Sequence, residues 1–257
     1  GLIRREDSMD VIGAYLVNFT NVMQKVADTE TENLRLGAQK LAEAALSGHN
    51  IFAFGCSHAG LLALELYYRT GGMALINPVR APGLCLDIDP ATMTSQMERL
   101  PEYGKVIVDN QPLGAGDVII VHSVSGRNTV TVDVAMRARE KGAYVIALTS
   151  METTQGLKSR HPSGKNLYEV SDLVLDNCGC MGDGSLNVPG VMEKVGPTST
   201  AVGAAMLNAM VAQAVEMITA AGGVAPVFVS ANLEGGDEHN KKMLAQYKDH
   251  IFYMGQI

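Results

Sequence analysis

Between residues 50 and 180 the chain repeats one motif, a short apolar or β-branched run bounded by turn residues and followed by a stretch with helical spacing. Five runs have strand character: residues 51–54, 73–77, 118–121, 144–149 and 173–176. Runs of four to six residues that are apolar on both faces suit strands covered on both sides, as in a parallel sheet. Helical stretches at 59–69 and 130–141 separate them, and Gly142 is a suitable C-cap for the second. The alternation predicts a doubly wound, three-layer α/β/α sandwich around a five-stranded parallel sheet, with ligands at the carboxyl ends of the strands. The apolar share of 47% with only 5% aromatic residues agrees, because small side chains favour close packing of helices on a sheet over an aromatic β-sandwich.

The rest of the chain is read around that core. Residues 8–48 carry two helical patterns, one through Val11, Tyr15, Phe19, Val22 and Val26 and one through Leu34, Ala38, Leu41 and Ala45. This predicts an N-terminal helical pair, residues 1–48, ahead of a main domain at 49–257. The segment 78–116 exceeds an ordinary crossover and is expected to hold short helices at 90–100 and 101–109 and to fold over the site. A glycine-rich stretch at 179–190 reads as a binding loop, and 198–221 as a long helix rich in Ala and Met.

Chemistry concentrates after the third run, where Ser123, Ser125, Gly126, Asn128 and Thr129 lie between strand and helix. A phosphate there would meet hydroxyls, unpaired N–H groups of a first helical turn and the positive end of the helix dipole. The competing reading is that Ser125 or Asn128 only caps the helix.

At this loop, Ser123-Val124-Ser125-Gly126-Arg127-Asn128-Thr129, the chain resembles the sugar isomerase (SIS) domain family, whose phosphosugar loop reads Ser-x-Ser-Gly-x-Thr. Here Arg127-Asn128 stands where the family has one spacer. Two further segments are similar to family motifs: Gly55-Cys56-Ser57-His58 to a Gly-x-Ser turn after the first strand, and Glu193 with Ser199-Thr200 to a loop opening the last helix. The three matches span about residues 50–220. The resemblance implies a flavodoxin-like fold, a phosphorylated sugar as ligand, and phosphate contacts from Ser57, His58, Ser123, Ser125, Gly126, Asn128, Thr129, Ser199 and Thr200. It also implies N-terminal helices packed on a second subunit, hence a homodimer or higher homo-oligomer, and phosphoheptose isomerase as a relative.

Other classes fit less well. Gly-x-Gly-x-x-Gly is absent, the second strand ends in Asn77 where an NAD enzyme carries an acid, and no Gly-Lys-Ser/Thr follows a glycine loop. A net charge of −7 without a basic stripe argues against nucleic acid. No signal peptide and no apolar run long enough to cross a membrane are read in the sequence, so a cytoplasmic protein without membrane contact is expected. The four cysteines are read as reduced thiols; no metal and no cofactor are assigned.

Moving a proton between C1 and C2 of a sugar needs a base, with a second group to open the ring or shuttle the hydroxyl proton. Glu193, in the family-like motif, and His239, flanked by Asp237 and Glu238, are the expected catalytic pair. His161 is a possible ligand contact, while His49, His122 and His250 are read as structural. Three functions remain open: an aldose-ketose isomerase acting through an enediol, a non-catalytic phosphosugar sensor, and an amino-sugar-phosphate lyase or etherase.

Overall fold

Successive side chains of the third strand enter two different cores. Val118 and Ile120 join one apolar cluster with Ile51, Ala53, Ile146 and Leu148, while Ile119 and Val121 join another with Phe52, Phe54, Val145 and Ala147. A strand that buries both faces must lie between two helical layers. The structure, a computed structural model, describes residues 9–255, so the first eight residues of the N-terminal unit fall outside it.

In chain order the elements are α1 (Val11–Leu46), β1 (Ile51–Gly55), a 3₁₀ turn (Ser57–Gly60), α2 (Leu61–Leu66), β2 (Ile76–Pro78), α3 (Met93–Met97), α4 (Tyr103–Asp109) and β3 (Val118–His122). Then follow α5 (Thr129–Glu140), β4 (Tyr144–Thr149), α6 (Met151–Gln155), β5 (Leu173–Asp176), a hairpin of β6 (Gly184–Leu186) and β7 (Val195–Pro197), α7 (Ser199–Ala220) and α8 (Gly236–Tyr247). The five main strands are parallel in the order β2-β1-β3-β4-β5. This is the three-layer α/β/α sandwich expected, in the flavodoxin-like strand order. α1 and α7 supply Leu41, Met206, Met210 and Ala214 to one core; α4 and α5 supply Ile107, Val130, Val134 and Ala138 to the other.

The expected helical pair is one 36-residue helix. Residues 27–33 contain no Gly or Pro, and the hydroxyls of Thr29 and Thr31 donate back to the carbonyls of Lys25 and Ala27, so the polar stretch continues the helix. The carboxyl half of α1 is built into the sheet core: a Cβ on Gly37 would stand 2.4 Å from the Met210 sulfur. Its amino half is different. Ile12 is 71% exposed, and Val11, Leu16 and Val17 also face outward. The second strand is shorter than expected, since Met73 forms only an isolated bridge with Val227 before β2 begins at Ile76. α7 corrects the reading that no run could span a membrane: it is long and apolar enough by composition, and Val202, Met206, Met210 and Ala214 bury it against the sheet.

Candidate functional site

β1 and β3 are neighbours in register, Gly55 beside His122, yet their following segments lead to opposite parts of the sheet, toward β2 and toward β4. The crevice at this reversal lies at the strands' carboxyl ends, where doubly wound sheets hold ligands. Two loops form its floor. The first is the Ser57–Gly60 turn, which needs glycine at Gly55 because a Cβ there would stand 2.5 Å from the Ala59 carbonyl carbon and oxygen. Ser57 itself has φ +57°, held by its N–H donating to Leu84 O at 2.8 Å. His122 ties this turn to the second loop. Its Nδ1 lies 2.9 Å from Ala59 O, an acceptor, so Nδ1 carries the proton; burial pushes the imidazole below its usual pKa and keeps it neutral.

The second loop runs from Ser123 to Asn128. Gly126 takes φ +61°, and its N–H donates to Ser123 Oγ at 3.0 Å, so Ser123 spends its hydroxyl holding the turn. Ser125 lines the cavity, and its hydroxyl makes no hydrogen bond among the described residues. Asn128 occupies the N-cap position of α5 with extended backbone but makes no side-chain cap bond. Its amide instead donates to Glu98 Oε1 at 2.9 Å and accepts from Arg160 Nη1 at 2.8 Å. The backbone N–H groups of Ser125, Arg127 and Asn128 likewise have no partner among the described residues. The Val130 N–H in the first turn goes to Glu98 O at 3.0 Å, but a helix start without a side-chain cap, preceded by unpaired loop N–H groups and a spare hydroxyl, is a nest for an anion.

The cavity above these loops has a volume of about 430 Å³, within the range of small-molecule sites. Ser57, His58, Ser125 and Asn128 face it, together with Glu98 and Asp183. Glu98 follows α3 and carries a pKa raised from the ordinary glutamate value, chiefly by burial, with Arg99 and Arg160 pulling it the other way. A carboxylate so placed holds its proton more tightly than an exposed glutamate and can serve in proton transfer. Asp183 accepts from the N–H groups of Thr198 and Ser199 and from the Ser199 hydroxyl, and so caps α7. Cys56 also borders the cavity; burial pushes its thiol up to about 12, which makes it a poor nucleophile.

Of the residues expected from sequence, Ser57, His58, Ser123, Ser125 and Asn128 meet in this cavity, with Gly126 shaping its loop. The others stand elsewhere. Thr129 is buried, and its hydroxyl donates to Arg160 O at 3.3 Å. Ser199 is bound to Asp183, and Thr200 does not line the cavity. Glu193 is exposed in the loop between β6 and β7, and His239, on α8, has Nε2 3.1 Å from Val227 O; neither reaches the cavity within one chain. His161 is held between Asp133 Oδ1 at 2.7 Å and Ser163 Oγ at 2.8 Å and stiffens its own turn. Sequence reasoning missed Glu98 and Asp183. The only signals were the overlong 78–116 segment and the lone acid of Gly182-Asp183-Gly184. No group of three His, Cys, Asp or Glu among the described residues is arranged to hold a metal ion.

Residues 14–150 match the SIS domain, and the chain belongs to the SIS-domain family. It is 42% identical over 246 residues to a UPF0309 protein of Shouchella clausii, covering 96% of this chain and all of that one. It is 40% identical over 246 residues to another from Oceanobacillus iheyensis, with the same coverage. Among solved structures it is similar to a phosphoheptose isomerase from Francisella tularensis, with TM-score 0.53 and 15% identity over 79% of this chain and 95% of the other. It is also similar to the sugar isomerase domain of an RpiR transcription factor from Sphaerobacter thermophilus, with TM-score 0.50 and 14% identity over 94% and 99% of the two chains. At these identities the structural likeness is one of fold.

Proposed function

We propose that the protein binds a sugar phosphate in the β1/β3 crevice and isomerises it between aldose and ketose through an enediol. The observation that carries the reading is the start of α5, which has no side-chain cap and where the unpaired N–H groups of Ser125 and Asn128 and the free Ser125 hydroxyl border a cavity that also holds a half-buried carboxylate. The phosphate sits on Ser57, Ser125 and the α5 N-terminus. Ser123 supports it by fixing the turn. The sugar then extends toward Glu98, whose ionised form takes the proton from C2 and returns it to C1. His58, exposed and without a hydrogen-bond partner among the described residues, moves the proton between the two oxygens. Glu193 and His239 keep the catalytic place expected from sequence only if a neighbouring copy carries them to the cavity.

One observation favours a second reading, a binding module without turnover. Within one chain the cavity lining offers one carboxylate for proton transfer, Glu98, because Asp183 is occupied at α7. Incubating sugar phosphates with the protein in D₂O separates the two. An isomerase exchanges the C2 hydrogen of a bound aldose phosphate, visible by NMR, and Glu98→Gln abolishes the exchange. A ligand that binds wild type and never exchanges leaves the binding module. The assembly is a homodimer through the outward apolar stripe of Val11, Ile12, Leu16 and Val17, an exposed surface that water disfavours.

A further inference from the structure

We propose that the ligand carries a second anionic group, a carboxylate or another phosphate, and that Arg99, Arg127 and Arg160, at the rim beside the α5 loop, hold it. This rests on the phosphosugar reading and narrows the substrate class within it. Eight arginines fall among the described residues. Arg35, Arg69, Arg137 and Arg139 each pair with a carboxylate, and Arg80 lies over the Tyr67 ring. The remaining three have no carboxylate partner within ion-pair distance among the described residues, and they are gathered at one place. Arg160 donates its backbone N–H to Arg127 O at 2.8 Å, and its guanidinium reaches Asn128 Oδ1, also at 2.8 Å. The slight burial of Arg160 and then the positive charges of Arg127 and Arg99 push its pKa down, while Glu98 pulls it up. Arg127 has a buried Nε with no hydrogen-bond partner.

Like charges so gathered repel, in a chain whose net charge of −7 offers acids elsewhere for pairing. The cluster touches the cavity through one amide, since Asn128 lines the cavity, takes Arg160 on its oxygen and gives its nitrogen to Glu98. The planar fork of a guanidinium matches the two oxygens of a carboxylate or phosphate. An anion at this rim would relieve the repulsion. The first phosphate is held by hydroxyls and backbone N–H groups of the loop, the second group by the guanidinium side chains beside it.

The test is calorimetric titration, at one low salt concentration, of two ligand pairs that differ only in the second group. Glucitol 6-phosphate is compared with 6-phosphogluconate, and fructose 6-phosphate with fructose 1,6-bisphosphate. Wild type should bind the doubly anionic member of at least one pair ten-fold or more tightly than its partner, and the pair showing the gain identifies the group. In the double variant Arg127→Gln, Arg160→Gln that ratio should fall to about two or less; the exposed single variant Arg99→Gln should reduce it in part and guards against misfolding of the double variant. Equal affinity within both wild-type pairs overturns the inference and leaves the phosphosugar reading standing, as does a ratio that survives in the folded variants. Failure of all four phosphorylated ligands to bind wild type overturns the phosphosugar reading, and this inference with it.

Discussion

Ser123 and Ser125 stand two residues apart in one loop and do different work, so replacing each by alanine should separate folding from binding. The Ser123 hydroxyl accepts the Gly126 N–H at 3.0 Å and is buried. Removing it strands a donor at a residue with φ +61°, at a cost of about 1–3 kcal/mol. For a chain of this size that lowers Tm by roughly 2–4 °C for each kcal/mol. The Ser125 hydroxyl faces the cavity with no bond inside the described chain. Ser125→Ala should therefore leave Tm nearly unchanged while removing one charge-assisted bond to the phosphate, about 1.5–3 kcal/mol. That converts to a loss of affinity of roughly ten- to a hundred-fold. Thermal scans and calorimetric titration with fructose 6-phosphate on the same preparations decide the matter. If Ser125→Ala lowers Tm as Ser123→Ala does and keeps full affinity, the loop is a helix cap and the assignment of the two serines is wrong.

Gly55→Ala forces a Cβ to within 2.5 Å of the Ala59 carbonyl carbon and 2.7 Å of Gly60 N, so it should cost about 1–3 kcal/mol, read as a lower Tm, and weaken phosphate binding by displacing Ser57. Glu98 has a pKa raised above the ordinary 4.5, chiefly by burial, so the folded state keeps its proton where the unfolded chain has lost it. Its contribution to stability is present below pH 4.5 and is lost as pH rises through the folded value; Glu98→Gln should remove that loss, and denaturant titrations across pH would show a flatter curve. The same shift should place the acidic limb of wild-type kcat/KM above the usual glutamate range, which a pH–rate profile checks. Leu16→Asp places a charge in the outward stripe of α1 and should halve the mass seen in light scattering at micromolar protein; an unchanged mass would remove that stripe from the interface.

The sheet was legible because its signal is local. Four of the five runs became strands nearly as bounded, since a β-branched run closed by turn residues has few alternatives. Met73–Leu75 did not extend β2, because the neighbouring contact there comes from Val227, far along the chain. The unbroken α1 was misread where polar residues suggested a turn; Thr29 and Thr31 bond back along the helix, and only Gly or Pro would have ended it. The phosphate-facing serines were readable from a loop whose backbone dictates its chemistry. Glu98 was not, because its place depends on a long segment folding over the cavity and on the Asn128 amide that anchors it. Asp183 lay hidden for a similar reason, its role being set by Thr198 and Ser199 fifteen and sixteen residues on.

The most direct test of the central claim is calorimetric titration of the wild-type protein with phosphorylated sugars and their unphosphorylated counterparts, each in competition with inorganic phosphate. Phosphorylated members should bind and be displaced by phosphate, while the free sugars give no heat of binding. Equal affinity for both members of every pair, or no binding by any phosphorylated sugar, would contradict a phosphate site at the start of α5.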